Sequence, residues 1–350
     1  MRDGLHVFRR AQFSAMDTLR QFQGGTLAAW GFGPSECPYR VIATGSHWRL
    51  RDYGEQGVGA SLFIVAAPIK RPYIWDLSPS ASAIRHCLQE GLHVYLLEWT
   101  PATKATSNIG LEECVAAIAE CVAKISTQGS KPFVIGHSLG GTLAAIYGAS
   151  ASKSINGLVL LSAPLCFPSN QYPFRDALIA LVPSDLPDTD PFPGSLLSQM
   201  SAMASPDTFI WSRMFDALMN AADPRAIDIH ARVERWALDE VPLPGKLVHQ
   251  IIEWLYRQNR FCRGRLKIGN GFADLHRMAL PTLAVANMID DVAPIDSVRP
   301  FMEAISPKNA HIIEYQGEPG VSLQHLGILI GREAHAQIWP EMISWINLRA

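Results

Sequence analysis

Two hydrophobic rhythms alternate along the chain, and their order outlines a fold. From Ser61 to Ala67 (SLFIVAA) the apolar positions run almost without a break, as in a strand buried on both faces. A helix-period segment opens at Pro79 and Ser80 and runs to about Glu90. HVYLLEW (His93 to Trp99) is a second buried strand. Leu111 to Ile125 carries apolar residues at helical spacing, with Glu112 and Glu113 in its first turn. FVIG (Phe133 to Gly136) predicts a third strand, Gly140 to Ser150 a small-residue helix, and GLVLLSA (Gly157 to Ala163) a fourth strand. Strand and helix alternating at this spacing predict βαβ units, a parallel sheet and right-handed crossovers.

The rhythm stops at Pro164 and returns near Pro281. The stretch between is rich in Pro, Met, Trp and Phe. Pro168, Pro173, Pro183, Pro187, Pro191 and Pro193 interrupt its first part, while Ala231 to Trp236 and Leu247 to Tyr256 have helical period. TLAVA (Thr282 to Ala286) and HIIEY (His311 to Tyr315) then predict strands, and Val298 to Ile305 and Ala334 to Ile346 helices. Before Ser61 only Val41 to Leu50 reads as a strand; the rest looks irregular and Gly-rich. The expected organisation is an N-terminal segment (1–58), a first part of an α/β core (59–163), a helical insertion (164–280) and the remainder of the core (281–350).

Composition narrows the function classes. The chain has 350 residues, 48% hydrophobic and 18% charged, which excludes intrinsic disorder. Thirty Lys+Arg against thirty-two Asp+Glu leave a net charge of −2, so no basic field exists to hold nucleic acid. No run of ~20 apolar residues predicts a spanning helix, and the Arg-containing stretch Met1 to Gln23 lacks the apolar centre of a secretory signal. The six cysteines show neither a C-x-x-C pair nor zinc-ligand spacing with histidine. Buried free thiols, a cytoplasmic location, and no metal or organic cofactor are the expectations.

GHSLGG (Gly136 to Gly141) sits between a buried strand and a helix, the position of a G-x-S-x-G nucleophile elbow. Ser138 there must take a strained conformation, so its neighbours two residues away must lack side chains, as Gly136 and Gly140 do. The following helix aims its N-terminal amides at the serine, which makes the Leu139 N–H an oxyanion donor. A serine hydroxyl needs a base, and in this arrangement acid and histidine follow the nucleophile in that order. His325, in the Gly-containing loop after the last strand, is the expected base. Asp290, after the strand Thr282 to Ala286, is the expected acid, with adjacent Asp291 as the alternative and Asp296 better explained as a residue near a helix start. The second oxyanion amide is expected from the loop after Ala67, at Ile69. Lys70 and Arg71 beside it read as solvated surface or as partners of an anionic substrate group. His137 reads as a turn residue packed away from the serine, and Trp99, Trp236 and Trp254 as core or as walls of an acyl pocket.

These segments resemble the polyhydroxyalkanoate synthases, a branch of the α/β-hydrolase fold, and above all the short form that works with a partner subunit. The resemblance runs from about Ser61 to Trp345. It rests on RPYIWDL (Arg71 to Leu77), GHSLGGTL (Gly136 to Leu143), RVERWALDE and PLPG (Arg232 to Gly245), LYRQNRFCRGRLKIG (Leu255 to Gly269) and HLGILIG (His325 to Gly331). It implies an α/β-hydrolase fold whose mostly parallel sheet carries a helical cap inserted before the last core strands. It also implies a triad at Ser138, Asp290 and His325. The synthases carry cysteine as nucleophile, and often histidine after the triad aspartate; here those positions are Ser138 and Asp291. A thioester on cysteine is close in energy to the acyl-CoA that forms it and passes its acyl group on repeatedly. An oxygen ester on serine is a weaker donor. The leading expectation is therefore a serine hydrolase acting on an ester or thioester of a hydroxyacyl or fatty acyl group. The alternatives are an acyltransferase using hydroxyacyl-CoA and a non-catalytic binding subunit. A homodimer or a partner subunit is the expected assembly.

Overall fold

The structure, a computed structural model, describes residues 2–54, 59–127, 129, 131–168, 172–182, 189–219 and 221–350, with side chains from residue 11 onward. Pro183 and Pro187 of the Pro-rich stretch, and residues 55–58 at the first expected boundary, lie outside the described residues.

Eight strands form one sheet: β1 (Arg40–Thr44), β2 (Trp48–Asp52), β3 (Ser61–Val65), β4 (His93–Trp99), β5 (Phe133–His137), β6 (Gly157–Leu161), β7 (Thr282–Asn287) and β8 (Ala310–Tyr315). Their order is β1-β2-β4-β3-β5-β6-β7-β8. β1 and β2 form an antiparallel hairpin, β2 runs antiparallel to β4, and every pairing from β4 onward is parallel. The six strands expected from the apolar runs are all present within two residues of their expected ends. Val41 to Leu50 divides into the hairpin because Gly45 turns the chain there, where a Cβ would fall 2.2 Å from the Trp48 indole.

Helices α2 (Ala83–Gln89), α3 (Leu111–Ser126) and α4 (Leu139–Ala151) connect the first strands. α3 and α4 cover one face, where Ile118, Val122, Leu143 and Ile146 pack on Phe63, Val65 and Val134. α2 and the C-terminal helix Trp339–Asn347 cover the other, with Ile84, Trp339 and Ile343 against Leu62, Ile135 and Val159. Burial on both faces is why the strands read as unbroken apolar runs.

Between β6 and β7 lie α5 (Pro173–Leu181), α6 (Gly194–Ala204), α7 (Ser212–Met219), α8 (Pro224–Leu238) and α9 (Gly245–Gln250), the last continuing as a wider turn over Ile251–Arg257. They have a small core of their own, including Leu178, Phe192, Met200, Leu243 and Ile252.

The N-terminus differs from the expectation of an irregular segment: Arg2–Leu27 is one helix, α1. Little in its sequence forces this. Its order comes from docking on the insertion, where Asp17 accepts from the Ser195 N–H at 2.8 Å and Gln21 donates to the Glu240 carbonyl at 2.8 Å.

The cysteines also depart from expectation. Cys37, Cys87, Cys114 and Cys121 are buried and free, but Cys166 and Cys262 are joined by a disulfide, with Cα atoms 5.2 Å apart. The two are 96 residues apart in sequence, and only the return of the insertion to the sheet brings them together. Among the described residues no helix is long and apolar enough to cross a membrane.

Candidate active site

β5 runs into Ser138, which takes φ 55° and ψ −133° before α4 begins at Leu139. A positive φ on a residue with a side chain is strained and must be held by its surroundings. The Ser138 N–H donates to Leu161 O at 3.0 Å, fixing the turn to β6. A Cβ on Gly136 would stand 2.6 Å from the Gly140 backbone, and one on Gly140 2.2 Å from Val65 O and 2.9 Å from Ala67 N. Both glycines are therefore required by close approach, as the motif implied. Gly141 is a third such position: a Cβ there would lie 2.6 Å from that of Ala163.

His325 lies in a loop after β8 and is buried. Its Nδ1 is 2.7 Å from Oδ2 of Asp290, a carboxylate 3% exposed at the end of β7. Because an ionised carboxylate only accepts, Nδ1 carries the proton. The other carboxylate oxygen accepts from the N–H groups of Val292 at 2.9 Å and Ala293 at 3.2 Å. Burial alone would raise the Asp290 pKa. The His325 charge and these hydrogen bonds outweigh it and hold the carboxyl below its ordinary value. The His325 Nε2 is buried and has no hydrogen-bond partner among the described residues. Asp291 is exposed and accepts from Thr208 Oγ1 at 2.7 Å, away from the imidazole. Asp296 lies in the first turn of α10 (Ile295–Ala304).

His137 is not packed away from this group. Its Nε2 donates to the His325 carbonyl at 2.7 Å, and the two rings are 4.6 Å apart. Burial, followed by the charge of His325, pushes the His137 pKa down to about 3, so it stays neutral. Asn287, at the end of β7, adds a second tie to the loop, donating from Nδ2 to Gln324 O at 2.7 Å. Its position at a strand end marks it only faintly in sequence; the signal for His137 was adjacency to the serine.

Ser138, Leu139, His137 and His325 line one cavity of about 430 Å³. The turn after β3 forms one wall, including Ala67 and Ile69, and the insertion supplies Phe174, Leu197 and Tyr256. Of the three tryptophans, Trp236 lines the cavity. Trp99 is core, bonded to Ala66 O at 2.7 Å, and Trp254 carries Arg260 over its ring. Lys70 is not solvated surface: it is mostly buried against Glu240, with Nζ 2.7 Å from Oε2, and it lines the cavity. Arg71 is half-buried with Nε 3.8 Å from Asp239. Solvated surface is therefore wrong for Lys70, because α8 covers the loop, while both residues line the cavity. Among the described residues no group of His, Cys, Asp and Glu is placed to hold a metal ion.

An elbow serine, an imidazole oriented by a buried carboxylate and an apolar cavity are the equipment of a fold class that the sequence comparison also finds. The model of the alpha/beta hydrolase fold matches residues 78–325, and the chain belongs to that family. Within it, the chain is similar to poly(3-hydroxyalkanoate) polymerase subunits PhaC. It is 25% identical to that of Haloarcula marismortui over 85% of this chain and 62% of the relative. It is 26% identical to that of Haloferax mediterranei, over 89% and 64%. The chain thus spans less than two thirds of the length of these two relatives. Against the subunit of Allochromatium vinosum it is 26% identical over 82% of this chain and 81% of the relative. Two solved structures share the fold. The monoacylglycerol lipase of Paleococcus ferrophilus has TM-score 0.54 at 16% identity, covering 87% of this chain and 99% of that one. A soluble variant of the monoglyceride lipase of Saccharomyces cerevisiae has TM-score 0.56 at 10%, covering 90% and 96%.

Proposed function

We propose that the protein is a serine acyl hydrolase, acting through an acyl-serine intermediate on an ester or thioester of a hydroxyacyl or fatty acyl group. The observation that carries the reading is the imidazole of His325, held by Asp290 on one nitrogen and unpartnered on the other, in the cavity that Ser138 lines. In the proposed reaction His325 Nε2 takes the Ser138 proton as Oγ attacks the substrate carbonyl carbon. The N–H groups of Leu139 and of the turn Ala67–Ile69 receive the oxyanion; Leu139 opens α4, where intrahelical carbonyl partners are lacking. His325 returns the proton to the leaving alcohol or thiol, then activates a water to release the acid. The helices of residues 164–280 act as the cap over this cavity. Its apolar lining fits the acyl part, and its volume falls in the usual range for small-molecule sites.

A second reading has its own support. Similarity to PhaC polymerase subunits favours transfer of a hydroxyacyl group from CoA to an alcohol acceptor, in an assembly with a partner subunit or a second copy. The serine favours water, because its ester is a weak donor.

Mass spectrometry of the intact protein after brief incubation with a panel of acyl-CoAs and simple esters tests both. The expected result is a single acyl adduct on Ser138 that decays to free acid, and no adduct on Ser138→Ala. Loss of the nucleophile should cost on the order of 10⁶ in turnover. Near-normal turnover by a folded Ser138→Ala protein overturns the serine mechanism. Polymer made from 3-hydroxybutyryl-CoA by the unmodified protein favours the transfer reading instead.

A further inference from the structure

Glu240 ends the RVERWALDE segment and is fully buried. Its carboxylate gathers donors from three separate parts of the chain. Oε1 accepts from Arg20 Nε of α1 at 2.9 Å and from Ser198 Oγ of α6 at 2.8 Å. Oε2 accepts from Lys70 Nζ, in the turn after β3, at 2.7 Å. The backbone repeats the arrangement. Lys70 and Glu240 pair as an isolated antiparallel bridge, and Lys70 Nζ also donates to Ala237 O at 2.6 Å. A Cβ on Gly194 would lie 2.9 Å from Oε2, so the site is closed on that side too. A buried carboxylate with its donors in place is rigid, and removing one partner leaves an uncompensated charge.

The part it holds on the core is close to the proposed chemistry. Lys70 follows Ile69 and stands three residues after Ala67, whose amide lies at the elbow. The turn is thus pinned by β3 on one side and by Glu240 on the other. Beyond it, Trp236 Nε1 donates to Arg71 O at 2.8 Å. Burial lowers the Lys70 pKa, and the Glu240 carboxylate opposes that fall.

We propose that Glu240 is a positioning residue for acyl transfer: through Lys70 it fixes the turn Ala67–Ile69 against the Ser138 elbow, and makes that placement depend on the docking of α1 and α6. The inference rests on the reading of Ser138 and His325 as the reacting pair, with that turn as an oxyanion donor. Glu240→Gln keeps the shape and removes the charge; Lys70→Met removes the leg to the turn, together with its bond to Ala237 O, and leaves Arg20 and Ser198 on Glu240.

The experiment measures kcat and KM on a soluble short-chain p-nitrophenyl ester and the rate of fluorophosphonate labelling, well below the melting temperature of each variant. Loss of one oxyanion donor costs ~10²–10³ in kcat, so each variant should fall by about 10² in kcat and in labelling rate. KM should stay within about threefold, and the double variant should lose little more than either single one. Glu240→Asp should recover part of the loss. Folded variants that turn over and label like the unmodified protein, with only a lowered melting temperature, overturn the proposal and leave Glu240 a structural residue. If Glu240→Gln does not fold, Lys70→Met decides by the same criterion. Labelling of the unmodified protein separates the two levels: no adduct on Ser138 sinks the catalytic reading and this inference with it, whereas equal labelling of all forms sinks this inference alone.

Discussion

Asp290 and Asp291 have the same side chain on successive residues, and the backbone sends them to different partners. The Asp290 carboxylate meets His325 Nδ1 and two backbone amides in a buried site; that of Asp291 meets a threonine of the insertion. Asp290→Asn should therefore cost far more turnover than Asp291→Asn. An amide at this position favours the wrong imidazole tautomer, a loss of ~10⁴ in serine proteases. The reverse ranking in kcat would move the acid to Asp291. His137 gives a prediction for pH. Its folded pKa of about 3 lies below the unfolded value near 6.5, so the unfolded chain takes up a proton that the folded one refuses. Stability from this group is complete above pH 6.5 and is lost as pH falls towards 3, at most by ~1.4 kcal/mol per unit. Urea midpoints measured between these pH values should fall more steeply for the unmodified protein than for His137→Gln. Parallel slopes would show that His137 is protonated in the folded protein.

At the scale of elements, the two ends of the insertion are tied to each other where they meet the core. The Cys166–Cys262 disulfide ties the segment leaving β6 to the segment that leads back towards β7. Nearby, Thr142 of α4 donates to Pro164 O at 2.7 Å and Asn259 accepts from the Phe167 N–H at 2.9 Å. A cross-link closing about a hundred residues restricts the unfolded chain by up to ~4.7 kcal/mol. Cys166→Ser, or a reductant on the unmodified protein, should lower the urea midpoint, and the reductant should then do nothing further to the variant. A midpoint unmoved by reductant, with both thiols free to alkylation after unfolding, would show that the pair is not joined in solution.

For the whole molecule, the question is whether the nucleophile or the surrounding chain decides between water and another acyl unit. The cavity wall combines the elbow, the β3 turn and five helices of the insertion, and these parts carry segments that resemble the polymer synthases. If serine is what prevents repeated transfer, Ser138→Cys should gain some oligomer formation from 3-hydroxybutyryl-CoA. A thiol of ordinary pKa ~8.5 becomes a competent nucleophile beside histidine. Failure to form oligomer, by a variant that still acquires the acyl adduct, would place the barrier in the shape of the cavity.

Much of this was legible in the sequence for a local reason. A parallel strand buried on both faces must be apolar throughout, and a nucleophile elbow must have glycine where backbones touch, so β3 to β8 and Ser138 announce themselves in short windows. His325 followed from chain order and its loop. What the sequence left open depends on contacts between distant residues. The choice of Asp290 over Asp291 turns on which carboxylate the loop aims at an imidazole 35 residues later. α1 is ordered by a surface that begins near Ser195 and ends near Glu240, and Cys166 finds Cys262 across 96 residues. Lys70 looked like a surface cation because nothing within its own segment covers it. Its burial, and its pairing with Glu240, exist only once the insertion has folded back over the β3 turn, since the partner of a buried charge is set by tertiary packing and leaves no local pattern.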